Sequence, residues 1–249
     1  MTIEKAASWL RSADRIAVLS GAGLSKASGI PTYRDKDGLW TREGTAKFSS
    51  LEGLASDPEG FRAFWEERRR EVAKARPNPG HVALAELQRL KPATALITQN
   101  VDGLLTTAGA VKVLEIHGSL SRERCGVCGA VRAVSAQDAD ERPMRCTTCS
   151  AASFRPDVVM FGEYIDLHVG AEADYRSKTS QVFLLAGTSA VVYPAAGMAE
   201  KALSRGAKLV IVNLEPTPLD GQADAVIHGR TEEVLPQILK RMERNESPG

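Results

Sequence analysis

The sequence lacks several features that define large classes of protein. It has no uninterrupted apolar run approaching the roughly 18 residues that a membrane-spanning helix needs. Its N-terminus has neither the apolar core nor the small-residue cleavage site of a signal peptide. With 32 Lys and Arg against 31 Asp and Glu, the net charge is +1, which argues against a global basic field for nucleic acid or anionic lipid. We therefore expect a globular protein of the cytoplasm.

Cysteine is scarce, and all four cysteines lie in one short window as two CxxC pairs, Cys125/Cys128 and Cys146/Cys149. A disulfide framework normally spreads its bridges through the fold, and cytosolic thiols stay reduced. Two CxxC knuckles can instead present four sulfurs to one tetrahedral ion. We predict one structural zinc ion, with redox chemistry as the alternative. Because arginines lie near the two pairs, a zinc ribbon that binds nucleic acid is an alternative function of this segment.

The dinucleotide-binding fingerprint is incomplete, because Lys26 stands where its third glycine is expected. Arg15–Ser20 predicts a buried strand, Gly21 and Gly23 a sharp turn, and Ser25 onward a helix. Free N–H groups and a helix dipole at such a turn favour a diphosphate. A tight structural turn without a ligand is the alternative interpretation of a lone GxG.

Short apolar strands alternate with amphipathic helices, which predicts an α/β protein with a doubly wound parallel sheet. The predicted strands are 15–20, 94–98, 112–116, 181–186, 208–212 and 223–227. The predicted helices are 2–12, 57–76, 80–91, 194–205 and 232–242. Residues 162–180 give only a polar segment with no predicted element.

Polar residues gather where the predicted strands end, which is where open α/β sheets bind ligands. Each cluster alone fits ordinary turn chemistry, but several strand ends agree. The clusters are Gln99, Asn100 and Asp102; His117; Thr188 and Ser189; and Asn213 and Glu215. The pKa range of histidine makes His117 a candidate general base, whereas His81 is expected to cap or pack a helix.

Together the motifs of this chain resemble those of the sirtuins, which are NAD-dependent protein lysine deacylases. GAGLSKASGIPTYR, TQNVDGLL, EIHGS, the paired CxxC motifs, VVMFGE, GTSAVVYPA and NLEP occur in that family's order and nearly its spacing, from about residue 10 to residue 236. The resemblance implies a Rossmann-like NAD-binding domain with a small inserted domain. It assigns 1–35, 81–118 and 156–249 to the Rossmann-like domain, 36–80 to a helical insertion and 119–155 to the zinc module.

The resemblance also implies roles for individual residues. His117, Asn100 and Asp102 are implied to be catalytic, and 159–163 is implied to pair in extended form with a substrate peptide. The residues implied to bind NAD are Gly21, Ala22, Gly23, Ser25, Ile30, Tyr33, Arg34, Trp40, Gln99, Asn100, Val101, Asp102, Gly187, Thr188, Ser189, Asn213, Leu214, Glu215 and Thr231. Those implied to bind substrate are Trp65, Arg68, Val159, Met160, Phe161, Gly162 and Glu163.

In the implied reaction, His117 acts as a base on a ribose hydroxyl, and the products are free lysine, nicotinamide and O-acyl-ADP-ribose. The implied partners are acylated lysine side chains of proteins, without membrane or direct nucleic-acid binding, and the oligomeric state stays open. Two other functions use parts of the same pattern: ADP-ribosyl transfer to protein, and nucleic-acid binding by a zinc ribbon.

One departure from the family bears on the acyl group. Members that remove succinyl and malonyl groups carry Tyr-x-x-Arg where this chain has Trp65 and Arg68. Arg68 could pair with an acyl carboxylate, so our hypothesis is deacetylation with some desuccinylase activity. The alternative leaves Trp65 in the small-domain core and Arg68 in a solvated charged face with Glu66–Arg70 at i,i+4 spacing.

Overall fold

A computed structural model of the chain describes residues 2–32, 46–135 and 145–243. The strands are β1 (Ile16–Ser20), β2 (Ala95–Thr98), β3 (Val113–Glu115), β4 (Gly118–Cys125), β5 (Val131–Ala133), β6 (Phe154–Val158), β7 (Val182–Ala186), β8 (Lys208–Asn213) and β9 (Ala225–His228). The helices are α1 (Thr2–Ser12), α2 (Ala22–Ser25), α3 (Leu51–Ser56), α4 (Pro58–Lys74), α5 (Pro79–Leu90), α6 (Leu104–Thr107), α7 (Leu167–Thr179), α8 (Ala196–Ser204) and α9 (Thr231–Glu243).

The main sheet is parallel, with the strand order β3-β2-β1-β7-β8-β9. The first strand of the chain lies at its centre, because β1 pairs with β2 on one side and with β7 on the other. All residues of β1, β2 and β7 are buried, as expected for a parallel sheet covered on both faces. The doubly wound α/β fold predicted from the sequence is confirmed.

Two hydrophobic cores lie on opposite faces of this sheet, because successive strand residues point to opposite sides. On one face, α1, α5 and α9 pack against Val18 and Leu184. On the other, α7 and α8 pack against Leu19 and Phe183. No helix within the described residues is long and apolar enough to cross a membrane.

Two helices differ from the sequence predictions. The prediction that a helix begins at Ser25 is wrong, since α2 begins at Ala22 and Ser25 is its last residue. Helix α7 lies in the polar segment for which no element was predicted. Only Ala173 and Ser177 of α7 are buried, so its sequence shows no clear apolar periodicity. The helix does have an N-cap, because the Asp166 carboxylate accepts hydrogen bonds from two backbone N–H groups.

A second, antiparallel sheet of order β5-β4-β6 carries the cysteines, and α3 and α4 pack beside it. Phe61, Phe64 and Trp65 of α4 form a small core with Leu120 and Met160. The Trp65 indole N–H donates to a backbone carbonyl, that of Phe48, over 2.9 Å. Trp65 therefore lies in this small-domain core, as the alternative interpretation has it.

The charged run on α4 is not the solvated face that the sequence suggests. Arg68 and Arg69 are buried, and Glu66 forms an ion pair with Arg69 rather than the expected i,i+4 pair with Arg70. The start of α4 is predicted correctly, since the Asp57 carboxylate accepts a hydrogen bond from Gly60 N–H.

Candidate active site

A large cleft runs along the carboxyl edge of the main sheet and separates it from the small sheet. Its volume is about 410 Å³. Most of the residues expected to bind NAD or substrate line it. They are Gly21, Ala22, Gly23, Trp65, Gln99, Asn100, Val101, His117, Val159, Met160, Phe161, Gly162, Glu163, Gly187, Thr188, Ser189, Asn213, Leu214 and Glu215. The ends of five strands, β1, β2, β3, β7 and β8, therefore meet in one site.

A second space, which we call the inner cavity, adjoins the large cleft and encloses about 60 Å³. The two share Ala22, Trp65, Gln99, Asn100 and Val101. The inner cavity has a polar end at Ser25 and Asp102, and a further end lined by Phe64, Trp65, Arg68, Glu71, Val72 and Leu120. Ile30 also lines it.

Three expected residues, Tyr33, Arg34 and Trp40, lie outside the described residues. Thr231 is described but lines neither space. Its hydroxyl lies 3.5 Å from the Gly23 carbonyl, so it contacts the glycine turn from behind.

The glycine turn at the end of β1 is shaped by close backbone packing. Gly23 N–H donates to the Gly187 carbonyl over 2.8 Å, and a Cβ on Gly23 would lie 2.8 Å from that oxygen. Gly21 and Leu24 N–H groups also donate to backbone carbonyls, so these glycines do not supply the free donors that the sequence suggests. Ala22, the first residue of α2, has no intrahelical acceptor for its N–H. A side-chain-free cradle with that donor fits a dinucleotide diphosphate.

A chain of hydrogen bonds runs from the start of α5 to the polar end of the inner cavity. Asn78 N–H donates to His81 Nδ1 (3.3 Å), which leaves the proton of neutral His81 on Nε2, 3.3 Å from Ser25 Oγ. Ser25 Oγ then donates to Asp102 Oδ2 (2.6 Å) and accepts from Asn100 Nδ2 (3.0 Å). One donor and two acceptor sites of the Ser25 hydroxyl are thus all used.

His81 has a part in this chain of hydrogen bonds that the sequence analysis did not predict. The prediction that it caps or packs a helix is confirmed, because it completes the capping box of α5. Its bond to Ser25 was not predicted. Burial lowers the pKa of His81, while the nearby Asp102 charge opposes this, so His81 is held neutral. Nothing in the local pattern N-P-G-H distinguishes such a histidine from an ordinary cap.

His117 follows β3 at the point where the small sheet begins, and it faces the large cleft. Its Nδ1 lies 3.1 Å from the Gln99 carbonyl, an atom that can only accept, so Nδ1 carries the proton and Nε2 holds a lone pair. Burial lowers the pKa of His117, and the bond to Gln99 partly opposes this. The Gln99 side chain in turn donates to Thr188 Oγ1 over 2.9 Å. The arrangement presents a neutral imidazole able to take a proton.

The segment 159–163 lies across the cleft, but it is not a free extended strand. Val159 N–H donates to the His117 carbonyl and Phe161 N–H to the Ser49 carbonyl. The Glu163 carboxylate accepts a hydrogen bond from Met160 N–H, and Glu163 N–H donates one to the Met160 carbonyl. Because four of the five N–H groups of the segment are used, pairing with a peptide here depends mainly on its carbonyl oxygens.

The four cysteine sulfurs meet at one point of the small sheet, all within 4.8 Å of one another. The Sγ atoms of Cys125 and Cys149 are 3.7 Å apart, and those of Cys128 and Cys146 are 3.6 Å apart. These separations are far too long for disulfides and close to the roughly 3.8 Å edge of a tetrahedron with Zn–S bonds of about 2.3 Å. Backbone N–H groups of Cys149 and Thr148 lower the pKa of the Cys146 thiol to about 6. The donor set fits one zinc ion with no open position.

Comparisons with known proteins agree with this geometry. The sequence profile of the Sir2 family matches residues 21–194. The NAD-dependent protein deacylase 2 of Pyrobaculum aerophilum is 40% identical over 235 residues, covering 94% of each chain. The NAD-dependent protein deacetylase 2 of Streptomyces coelicolor is 44% identical over 233 residues, covering 90% of this chain and 96% of that protein.

Solved structures also superpose on nearly the whole chain. A Sir2 homologue in complex with NAD matches with a TM-score of 0.89 at 38% identity, covering 96% of this chain and 93% of that one. A Sir2 variant in complex with a deacetylated peptide and 3'-O-acetyl ADP-ribose matches with a TM-score of 0.86 at 31% identity, covering 96% of this chain and 98% of that one.

Proposed function

This chain belongs to the Sir2 family, and from that premise we propose that it is an NAD-dependent protein lysine deacylase that releases nicotinamide and O-acyl-ADP-ribose. One observation carries the proposal. A neutral His117 with its Nε2 lone pair lies in the same cleft as the glycine turn at Gly21–Gly23 and the segment 159–163. A base, a dinucleotide cradle and a peptide-binding edge are thus brought together.

When bound, NAD supplies a ribose carbon that gives up nicotinamide and takes the acyl oxygen. His117 Nε2 takes a proton from a ribose hydroxyl, and the Gln99 carbonyl stabilises the resulting imidazolium through Nδ1–H. Ser25, Asn100 and Asp102 form the polar end of the inner cavity and position the nicotinamide group. Gly187, Thr188, Ser189, Asn213 and Glu215 also line the large cleft and hold the adenosine half.

The zinc ion is structural in this proposal. Held by Cys125, Cys128, Cys146 and Cys149, it ties the two knuckles of the small sheet together and takes no part in the chemistry. We also propose the domain division expected from the sequence, with the small domain formed by 36–80 and 119–155. The small sheet supports this division, although its last strand, β6, continues to Val158, three residues beyond the proposed boundary at 155. The arrangement of the four cysteines as a metal site rather than as disulfides supports a cytoplasmic location.

The proposal is tested by incubating the zinc-loaded protein with NAD and an acetyl-lysine peptide. We expect loss of the acetyl group from the peptide and an equal amount of released nicotinamide, both read by mass spectrometry. His117→Ala should abolish both without lowering the melting temperature, since His117 is only half-buried. A mass gain of one ADP-ribose on the peptide, with the acetyl group retained, would instead identify a transferase.

A further inference from the structure

The end of the inner cavity away from Asp102 contains an arginine that has its own carboxylate partner. Arg68 is 5% exposed and stands among Phe64, Trp65 and Leu120. It reaches the cavity from α4, and Trp65 beside it lines the large cleft as well. Given the proposed function, on which this inference rests, this end of the cavity is where an acyl chain extends from the reacting amide.

Glu71 occupies the terminal edge of the Arg68 guanidinium. Nη2 donates to Glu71 Oε1 over 2.8 Å, and Nη1 lies 2.8 Å from Oε2 in an ion pair. Glu67 also approaches, at 3.5 Å, but its side chain is 62% exposed against 38% for Glu71. Water therefore screens Glu67, and Glu71 is the carboxylate that neutralises the buried cation.

Two nitrogens of the Arg68 guanidinium are buried without a hydrogen-bond acceptor. Arg68 Nε has no hydrogen-bond partner among the described residues, and Nη1 has none beyond its ionic contact with Glu71. Both atoms have almost no accessible surface, so an acyl chain in the cavity meets the charge of the guanidinium rather than these two donors. A second carboxylate there would share one cation with Glu71 and be repelled by it, whereas a neutral oxygen would not.

We propose that Glu71 determines the acyl class. By neutralising the charge of Arg68, it disfavours acyl chains that end in a carboxylate relative to uncharged chains of the same shape. Glu71 acts through Arg68 and is a positioning residue. This limits the desuccinylase activity that Arg68 alone predicts.

The matched probes are succinyl-lysine and its primary amide, 3-carbamoylpropanoyl-lysine, which have the same shape and differ in charge. We expect wild-type protein to turn over the amide at least about tenfold better in kcat/KM, a difference of about 1.4 kcal/mol. In Glu71→Gln, which keeps the shape and removes the charge, this preference should fall at least about tenfold. An acid preferred by wild-type protein would overturn the proposal.

Glu67→Gln is the control, because it removes an equal charge beside the same arginine from an exposed position. We expect it to leave the amide-to-acid ratio within about twofold of wild type. Equal ratios in Glu67→Gln and Glu71→Gln would contradict a special role for Glu71. If Glu71→Gln fails to fold, Glu71→Met supplies the same test.

Arg68→Met combined with Glu71→Gln should abolish the discrimination, because neither charge then remains at this end of the cavity. In Arg68→Met alone Glu71 keeps its charge, so the amide should stay preferred. Acetyl-lysine peptide with NAD is measured in parallel for every variant. Failure of every peptide with wild-type protein would refute the proposed function itself. Normal acetyl turnover with an unchanged amide-to-acid ratio would refute only the role of Glu71.

Discussion

At the scale of single residues, the protonation of two histidines follows from the atoms around them. His117 is fixed with its proton on Nδ1 by the Gln99 carbonyl, and His81 with its proton on Nε2 by the Asn78 N–H. The two tautomers are opposite, and each suits its position. The free nitrogen of His117 faces the cleft, while His81 directs its proton at Ser25.

The lowered pKa of His117 gives a prediction for the pH dependence of activity. Burial shifts the pKa below the ordinary value near 6.5, so the imidazole stays a competent base down to a lower pH than a solvated histidine would. We expect the acid limb of the kcat/KM profile to have its midpoint below about 6.5. A midpoint above that value would contradict the assignment of His117 as the group that titrates.

Ser25 supports a second prediction. Its removal in Ser25→Ala leaves His81 Nε2–H, Asn100 Nδ2 and Asp102 Oδ2 without a shared partner. We expect a loss of about 1–3 kcal/mol in unfolding free energy and at least about tenfold in kcat/KM. Denaturant unfolding and steady-state kinetics measure the two effects.

Ser28→Ala is the matched control for that experiment. Ser28 lies three residues on and accepts one hydrogen bond, from Asn78 Nδ2 over 3.0 Å, outside the cavity lining. It should cost about 1 kcal/mol and leave kcat/KM nearly unchanged. Equal kinetic losses in the two variants would show that the Ser25 network has no special part in the site.

At the scale of elements, Gly187 after β7 locks the glycine turn in place. Its φ is +62°, and a Cβ there would lie 2.3 Å from Leu24 N, inside the backbone of α2. Gly206 has φ of +86° with no atom within 4 Å of an added Cβ. The two positions share the left-handed backbone and differ only in the space around them.

Gly187→Ala should therefore cost more than Gly206→Ala. We expect about 1–2 kcal/mol for Gly206→Ala from backbone strain alone. Gly187→Ala adds a backbone clash, so we expect at least about 3 kcal/mol and weakened NAD binding. Urea unfolding and calorimetric titration with NAD check this, and equal costs at the two glycines would disprove the role of close packing.

Strand β4 connects the zinc site directly to His117, the proposed base. Strand β4 begins directly after His117 and ends at Cys125, one of the four thiols. Removal of zinc with a chelator should lower the melting temperature and abolish deacylation, with recovery on adding zinc back. Full activity in protein shown by elemental analysis to be free of zinc would contradict a structural role for the ion.

At the scale of the whole molecule, the two insertions are joined by a buried ionic contact. Arg69 of α4 donates from Nε to the Leu120 carbonyl of β4 over 2.9 Å and pairs with Glu66, with Glu123 at 3.6 Å. Arg69 is 4% exposed, so its charge is largely removed from water. One side chain thus connects the helical insertion to the small sheet.

We expect Arg69→Met to lower the free energy of unfolding by about 3 kcal/mol, because it leaves the buried Glu123 and the half-buried Glu66 without this cation. Arg70→Met is the control, since Arg70 is exposed on the same helix and should cost less than about 0.5 kcal/mol. Denaturant unfolding distinguishes the two. A similar small effect at both positions would show that the contact does not hold the insertions together.

Much of this organisation could be predicted from the sequence, because it follows from local patterns. The strands of the main sheet carry β-branched apolar runs, and Asp57-Pro58 is a typical N-cap sequence that predicts the start of α4. The burial of Arg68 and Arg69 could not be predicted, since a charged run on a helix says nothing about what packs on it. Helix α7 could not be predicted either. It buries too little apolar surface for its sequence to show a helical period.

The central position of β1 has a consequence for synthesis on the ribosome. Ile16 pairs with Val182, so the first strand made waits through most of translation for one of its two neighbours. Closing so long a loop is entropically unfavourable, and until then the backbone groups along one edge of β1 have no strand to pair with. The cysteine module is complete before β7 emerges. A nascent chain of this protein therefore has its metal-binding knuckles ready while its main sheet is still open to chaperones or to other unfinished chains.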